Sequence, residues 1–169
     1  MKEARSDIPL KGQLWIDYIE KFRGSFFETQ WALFALCISI GIMYDKQLEF
    51  EALDNQNTSV PRSILNKMEN RNLLEYMFQT AILTTKNVEL DEKTRLSLAF
   101  GDEKDNDFNE YLFLTKFANY GLKVIDEQIG DCSNDIEIME ILMSFLNNTY
   151  ENGVQPEIDL NDIDFSSFE

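Results

Sequence analysis

The sequence predicts an all-α protein: a single compact domain of about six to seven helices over residues 1–152, then an acidic tail over residues 153–169. Three observations carry this. Apolar residues make up 44% of the 169 and include 13 Phe, which is ample core material, whereas three Pro and seven Gly are too few for a many-stranded β fold or a long linker. Apolar residues recur at helical spacing in most of the chain. The most apolar stretch, FFETQWALFALCISIGIMYDK at 26–46, contains a run of only 14 residues from Trp31 to Tyr44, broken by Ser39 and Gly41. A membrane-spanning helix needs about 20 such residues. The run therefore reads as a buried helix.

The elements follow in order. QLWIDYIEKF puts Leu14, Trp15, Tyr18, Ile19 and Phe22 on one stripe, with Pro9 and Gly12 bounding the lead-in. The second helix is expected to start at a capping box, Ser25 with Glu28, and Gly41 reads as its stop or as a packing position. Residues 45–59 are polar and turn-rich, a loop with room for a short strand. Pro61 suits a first helical turn capped by Ser59. SILNKME then reads as a short helix and RNLLEYMFQTAILTT as a longer one. VELDEKTRLSLAF is a further helical segment, and GDEKDND is a loop. Phe108, Tyr111, Leu112, Thr115, Leu122 and Ile125 predict a long amphipathic helix up to Ile129. GDCSND breaks the chain before a last helix, IEIMEILMSFLNNTY.

Charge divides the chain more sharply than hydropathy does. Residues 1–100 carry 12 Lys and Arg against 14 Asp and Glu, but residues 101–169 carry 3 against 17, so most of the net charge of −16 lies in the second part. Phosphate binding needs clustered Lys and Arg, so direct nucleic-acid binding is not expected. The final stretch, NGVQPEIDLNDIDFSSFE, alternates apolar residues with carboxylates and has no basic residue. This is the pattern of segments that stay mobile until a basic groove captures them. Its candidate partner-binding residues are Ile158, Leu160, Asp162, Ile163, Asp164, Phe165 and Phe168. Simple solubility, or a tail folded back on its own domain, is the plainer alternative.

Residue chemistry excludes much. With no histidine, Ser-His-Asp and Cys-His nucleophile systems and His-containing zinc sites are absent. Cys37 and Cys132 make neither a zinc motif nor a disulfide framework, and Cys37 in an apolar run behaves as a small hydrophobe. No phosphate-cradling glycine motif occurs. Asp105, Asp107 and Asn109 begin like a calcium loop, but Glu110 stands where the loop needs Gly and Lys116 where it needs a bidentate Glu. DEK at 91–93 and again at 102–104 echoes some metal-dependent nucleases but lacks their strand context. The expectation is a non-catalytic protein with no cofactor or metal. The lack of an Arg-rich transit segment or an early apolar signal predicts a cytoplasmic location, without a membrane.

Three blocks carry a resemblance: FETQWALFALCISIGI, RNLLEYMFQTAILTTKNVEL and FLTKFANYGLKVIDEQI. Together they span roughly residues 26–130 and resemble the DNA phosphorothioation-associated accessory proteins, small companions of bacterial sulfur-modification and anti-phage defence clusters. The resemblance implies a helical accessory subunit and no catalytic residues. With the charge pattern, it leads to the expectation of a subunit of that or a related defence complex. Its acidic C-terminal half would dock on a larger nuclease or SMC-like ATPase subunit that has a basic surface. The rival expectation is an acidic DNA mimic that inhibits a nuclease or other DNA-binding protein. In ANYGL, Ala118 and Gly121 read as small residues that let helices approach, and Asn119 as a partner for a nearby carbonyl.

Overall fold

The computed structural model describes residues 3–23, 26–27, 29–51, 58–101 and 108–153. Among them are seven helices and one two-stranded sheet: β1 (Ile8–Leu10), α1 (Gln13–Phe22), α2 (Gln30–Tyr44), β2 (Thr58–Val60), α3 (Arg62–Leu65), α4 (Met68–Thr84), α5 (Glu92–Phe100), α6 (Glu110–Ile129) and α7 (Asp135–Asn152). The chain divides into two compact units, up to Asp131 and from Cys132 onward. Elements β1 to α6 belong to the first and α7 to the second. No helix among the described residues is long and apolar enough to cross a membrane.

Helices α2 and α6 share the most extensive helix–helix contact of the first unit. Their crossing rests on two glycines. A Cβ on Gly41 would lie 2.1 Å from the Phe117 carbonyl oxygen, and one on Gly121 would lie 1.9 Å from the Cys37 carbonyl oxygen. Gly41 thus faces Phe117 while Gly121 faces Cys37, so the helices run antiparallel with each glycine against the other backbone. No side chain fits at either point. Gly41 is a packing residue inside α2 and not its stop. The helix runs on to Tyr44 and is capped by Asp45, which takes the left-handed conformation (φ 49°). Its start also differs from expectation: Thr29, not Ser25, is the N-cap, its hydroxyl accepting from the Ala32 N–H. Phe26 and Phe27 precede the helix because their rings pack edge-on against Phe22 of α1, at 5.1 and 5.7 Å between centroids. Ser25 and Glu28 themselves lie outside the described residues.

Around this pair the rest of the core is aromatic and aliphatic. Trp15, Phe22, Phe34, Phe78 and Phe117 are fully buried. Phe78, Phe108, Phe113 and Phe117 form a chain of tilted and edge-to-face contacts, with centroids 5.2–5.9 Å apart. Strand β1 alternates in the manner of a half-buried edge: Ile8 and Leu10 point inward and Pro9 outward. It pairs antiparallel with β2, Pro9 opposite Ser59. Ser59 is therefore committed to a strand and does not cap α3. Instead the Asp7 carboxylate accepts from the Arg62 N–H at 2.9 Å, a cap supplied from 55 residues away.

The α4–α5 connection is closed by Arg95. Its guanidinium donates to the carbonyls of Ile82 (2.7 Å), Val88 (2.7 Å) and Leu90 (3.1 Å). A planar head with five donors suits three carbonyls spread around it. The Asp45 carboxylate accepts from the Lys86 N–H at 2.8 Å, tying the end of α2 to the same loop. Helix α6 reaches Ile129 as expected, but its buried face is wider than the sequence stripe: Phe113, Leu114, Phe117, Ala118 and Val124 are buried, whereas Leu112 is exposed.

Candidate functional site

The seven predicted partner-binding residues, Ile158, Leu160, Asp162, Ile163, Asp164, Phe165 and Phe168, lie outside the described residues. So do Asp105, Asp107 and the DEK at 102–104. Asn109, the third residue of the calcium-like pattern, is the N-cap of α6, its side-chain oxygen accepting from the Leu112 N–H at 3.0 Å. Asp91 of the first DEK is likewise a cap, holding the Thr94 N–H at 3.0 Å and hydroxyl at 2.6 Å. Asn109 and Asp91 are thus each committed to a helix start.

Of the acidic half the structure describes α6 and α7, and α7 is the one without a basic residue. Asn134 caps it, accepting from the N–H groups of Ile136 and Glu137 at 3.0 and 3.2 Å. Asp135 and Glu137 occupy its first turn, where carboxylates are favoured by the helix dipole. It carries Asp135, Glu137, Glu140 and Glu151, and no Lys or Arg follows Lys123 in the sequence. The helix also shows an apolar stripe to solvent. Ile136 is 73% exposed and Tyr150 92%, with Met139 and Met143 exposed between them. These residues stand at i, i+3, i+7 and i+14, the 3.5-residue spacing of a helix-pairing seam. Sequence reading found the helix but not this stripe. The signal was present: Ile138, Leu142 and Phe145 form a second apolar series at helical spacing, one more than a single-faced amphipathic helix carries.

The first unit offers a cleft of about 670 Å³ between the N-terminal segment and α6, lined by Arg5, Asp7, Lys11, Phe50, Tyr111 and Lys116 among others. Lys116 at its wall pairs with Glu49, and the hydrogen bond from that ammonium holds the Glu49 carboxyl below its ordinary range. Burial raises the Tyr111 phenol, and neighbouring Glu110 adds to the effect. Beneath this region Asn119 is buried and uses both ends of its amide. It accepts from the Trp15 indole N–H at 2.9 Å and donates to the Leu48 carbonyl at 3.0 Å. The residue therefore fixes α1 and the 45–51 segment on α6.

Proton chemistry is poorly served by these groups. General acid–base work at neutral pH favours carboxyls whose pKa is raised, yet Asp91 and Glu49 are both held low, Asp91 by the Thr94 hydroxyl and N–H. Burial pushes the Cys37 thiol up, which keeps it protonated and weakly nucleophilic. Among the described residues no group of three His, Cys, Asp or Glu could hold a metal ion.

Comparison with protein-family models, curated proteins and solved structures finds no match.

Proposed function

We propose that this chain is a non-catalytic helical accessory subunit of a bacterial anti-phage defence complex, acting in the cytoplasm. Its acidic C-terminal half docks on a basic surface of a larger nuclease or SMC-like ATPase subunit. The observation that carries the docking part is α7: four carboxylates, no basic residue and an apolar stripe left in solvent. Single exposed apolar side chains need no explanation, but an aligned series rimmed by polar groups is the composition of an interface. The defence setting is supported only by the resemblance of residues 26–130 to phosphorothioation-associated accessory proteins. Charge complementarity speeds encounter and fixes register more than it adds affinity. In this reading the apolar side chains of α7, with Ile158, Leu160, Ile163, Phe165 and Phe168 beyond it, supply the anchoring contacts. Asp162 and Asp164 meet basic residues at the rim.

Co-purification tests the reading. The full-length chain and one ending at Asn152 are each expressed with the products of neighbouring genes. Retention of a large basic subunit by the full-length chain, weakened on truncation, supports docking. If truncation changes nothing and duplex DNA competes for the same surface, the acidic DNA-mimic function takes its place.

A further inference from the structure

We infer that the stripe formed by Ile136, Met139, Met143 and Tyr150 is a docking face for one amphipathic helix of a partner whose apolar seam is flanked by Lys and Arg. The inference rests on the reading that the acidic half docks on a basic protein, and it names the face and the partner's chemistry. At 1.5 Å rise the four side chains span about 21 Å of helix, and at 3.6 residues per turn they lie within about 60° of arc. That is long and narrow, the footprint of a helix laid alongside and not of a strand or a small molecule. All four are exposed. Methionines supply adaptable contact surface, and Tyr150 a large apolar ring with a hydroxyl at its rim.

Charge selects among occupants. A second copy of α7 would bring Asp135, Glu137, Glu140 and Glu151 against the same four residues. The chain's own residues 154–169 carry Glu157, Asp159, Asp162, Asp164 and Glu169 and no basic residue, so they are repelled as well. An anionic lipid surface or a nucleic-acid backbone meets the same field. A helix with cationic flanks is left, because its Lys and Arg reach Glu140 and Glu151, which border the stripe.

The test uses the full-length protein and a labelled synthetic helix of about three heptads, with Leu at the two seam positions and Lys at the flanking ones. A second peptide has Glu in place of Lys. Titration by fluorescence anisotropy should show binding of the Lys peptide and none of the Glu peptide. The double variant Met139→Ser/Met143→Ser should weaken binding by about tenfold or more. Tyr150→Ala, at a site too exposed to affect folding, should weaken it by at least about threefold. The chain ending at Asn152 should still bind the Lys peptide, through the stripe.

Equal binding of both peptides overturns the inference, as does indifference to the stripe variants or loss of binding on truncation at Asn152. Sedimentation showing a dimer that Met139→Ser/Met143→Ser dissociates also overturns it, in favour of a second copy. Stripe-dependent binding of the Lys peptide, with no neighbouring gene product retained in co-purification, leaves this inference standing and removes the proposed function.

Discussion

Asn119 shows how one polar residue organises a largely apolar core. Its amide accepts from the Trp15 N–H in a buried bond and donates to the Leu48 carbonyl in a half-buried one. Asn119→Leu keeps the number of side-chain heavy atoms but removes both partners, which should cost about 2–4 kcal/mol in urea or guanidinium unfolding. A loss below about 0.5 kcal/mol would mean that water replaces the amide. Tyr18 makes a second prediction, about pH. Burial, and then its bond to the Asp126 carboxylate at 2.9 Å, raise its phenol well above the ordinary value. The unfolded phenol ionises near pH ~10 while the folded one stays protonated, so the unfolded state binds fewer protons there. Tyr18's contribution is therefore complete below about pH 10 and is lost as pH rises toward the folded value. Tyr18→Phe should be less stable than wild type by about 1 kcal/mol near neutrality. The gap should narrow in unfolding curves taken above pH ~10. A gap that stays constant with pH would place the bond's strength elsewhere than in the neutral phenol.

Between elements, the α2–α6 crossing makes the sharpest demand on sequence. Gly121→Ala drives a methyl to within 1.9 Å of the Cys37 carbonyl oxygen, and Gly41→Ala does the same at 2.1 Å from Phe117. Backbone cannot yield locally, so the helices must part, at about 3 kcal/mol or more for each single variant. Once parted, the helices accommodate the second methyl more cheaply. The double variant should thus be less destabilised than the sum of the singles by at least about 1 kcal/mol, read from denaturation midpoints in a double-mutant cycle. Strict additivity would show that each glycine is relieved independently. The helices themselves were legible in the sequence because apolar periodicity is a local property, and ANYGL was legible as a packing motif because small residues in a helix have few other uses. Helix starts were less so. Thr29 in place of Ser25, and Asp7 in place of Ser59, are decided by where the aromatic residues and β1 come to rest, which no local pattern records. Strand β1 escaped for the same reason: three residues that pair only with a partner 50 positions away carry little signal.

For the molecule as a whole, charge and apolar surface point the same way. Residues 101–169 have 3 Lys and Arg against 17 Asp and Glu, and α7 adds a stripe that solvent does not favour. The charge division was plain in composition. The stripe was harder to see, since the sequence shows two apolar series on α7 and only the fold tells which is in solvent. The most direct measurement is the affinity of the purified complex with the large subunit, for the full-length chain and for a variant with Asp135, Glu137, Glu140 and Glu151 changed to Asn or Gln. It is made at about 0.05 M and about 0.5 M salt, where screening lengths differ by about threefold. Wild-type affinity should fall with salt, and the neutralised variant should bind at least about tenfold more weakly at low salt and converge with wild type at high salt. Equal affinity of the two proteins at both salt concentrations would contradict docking through the acidic half.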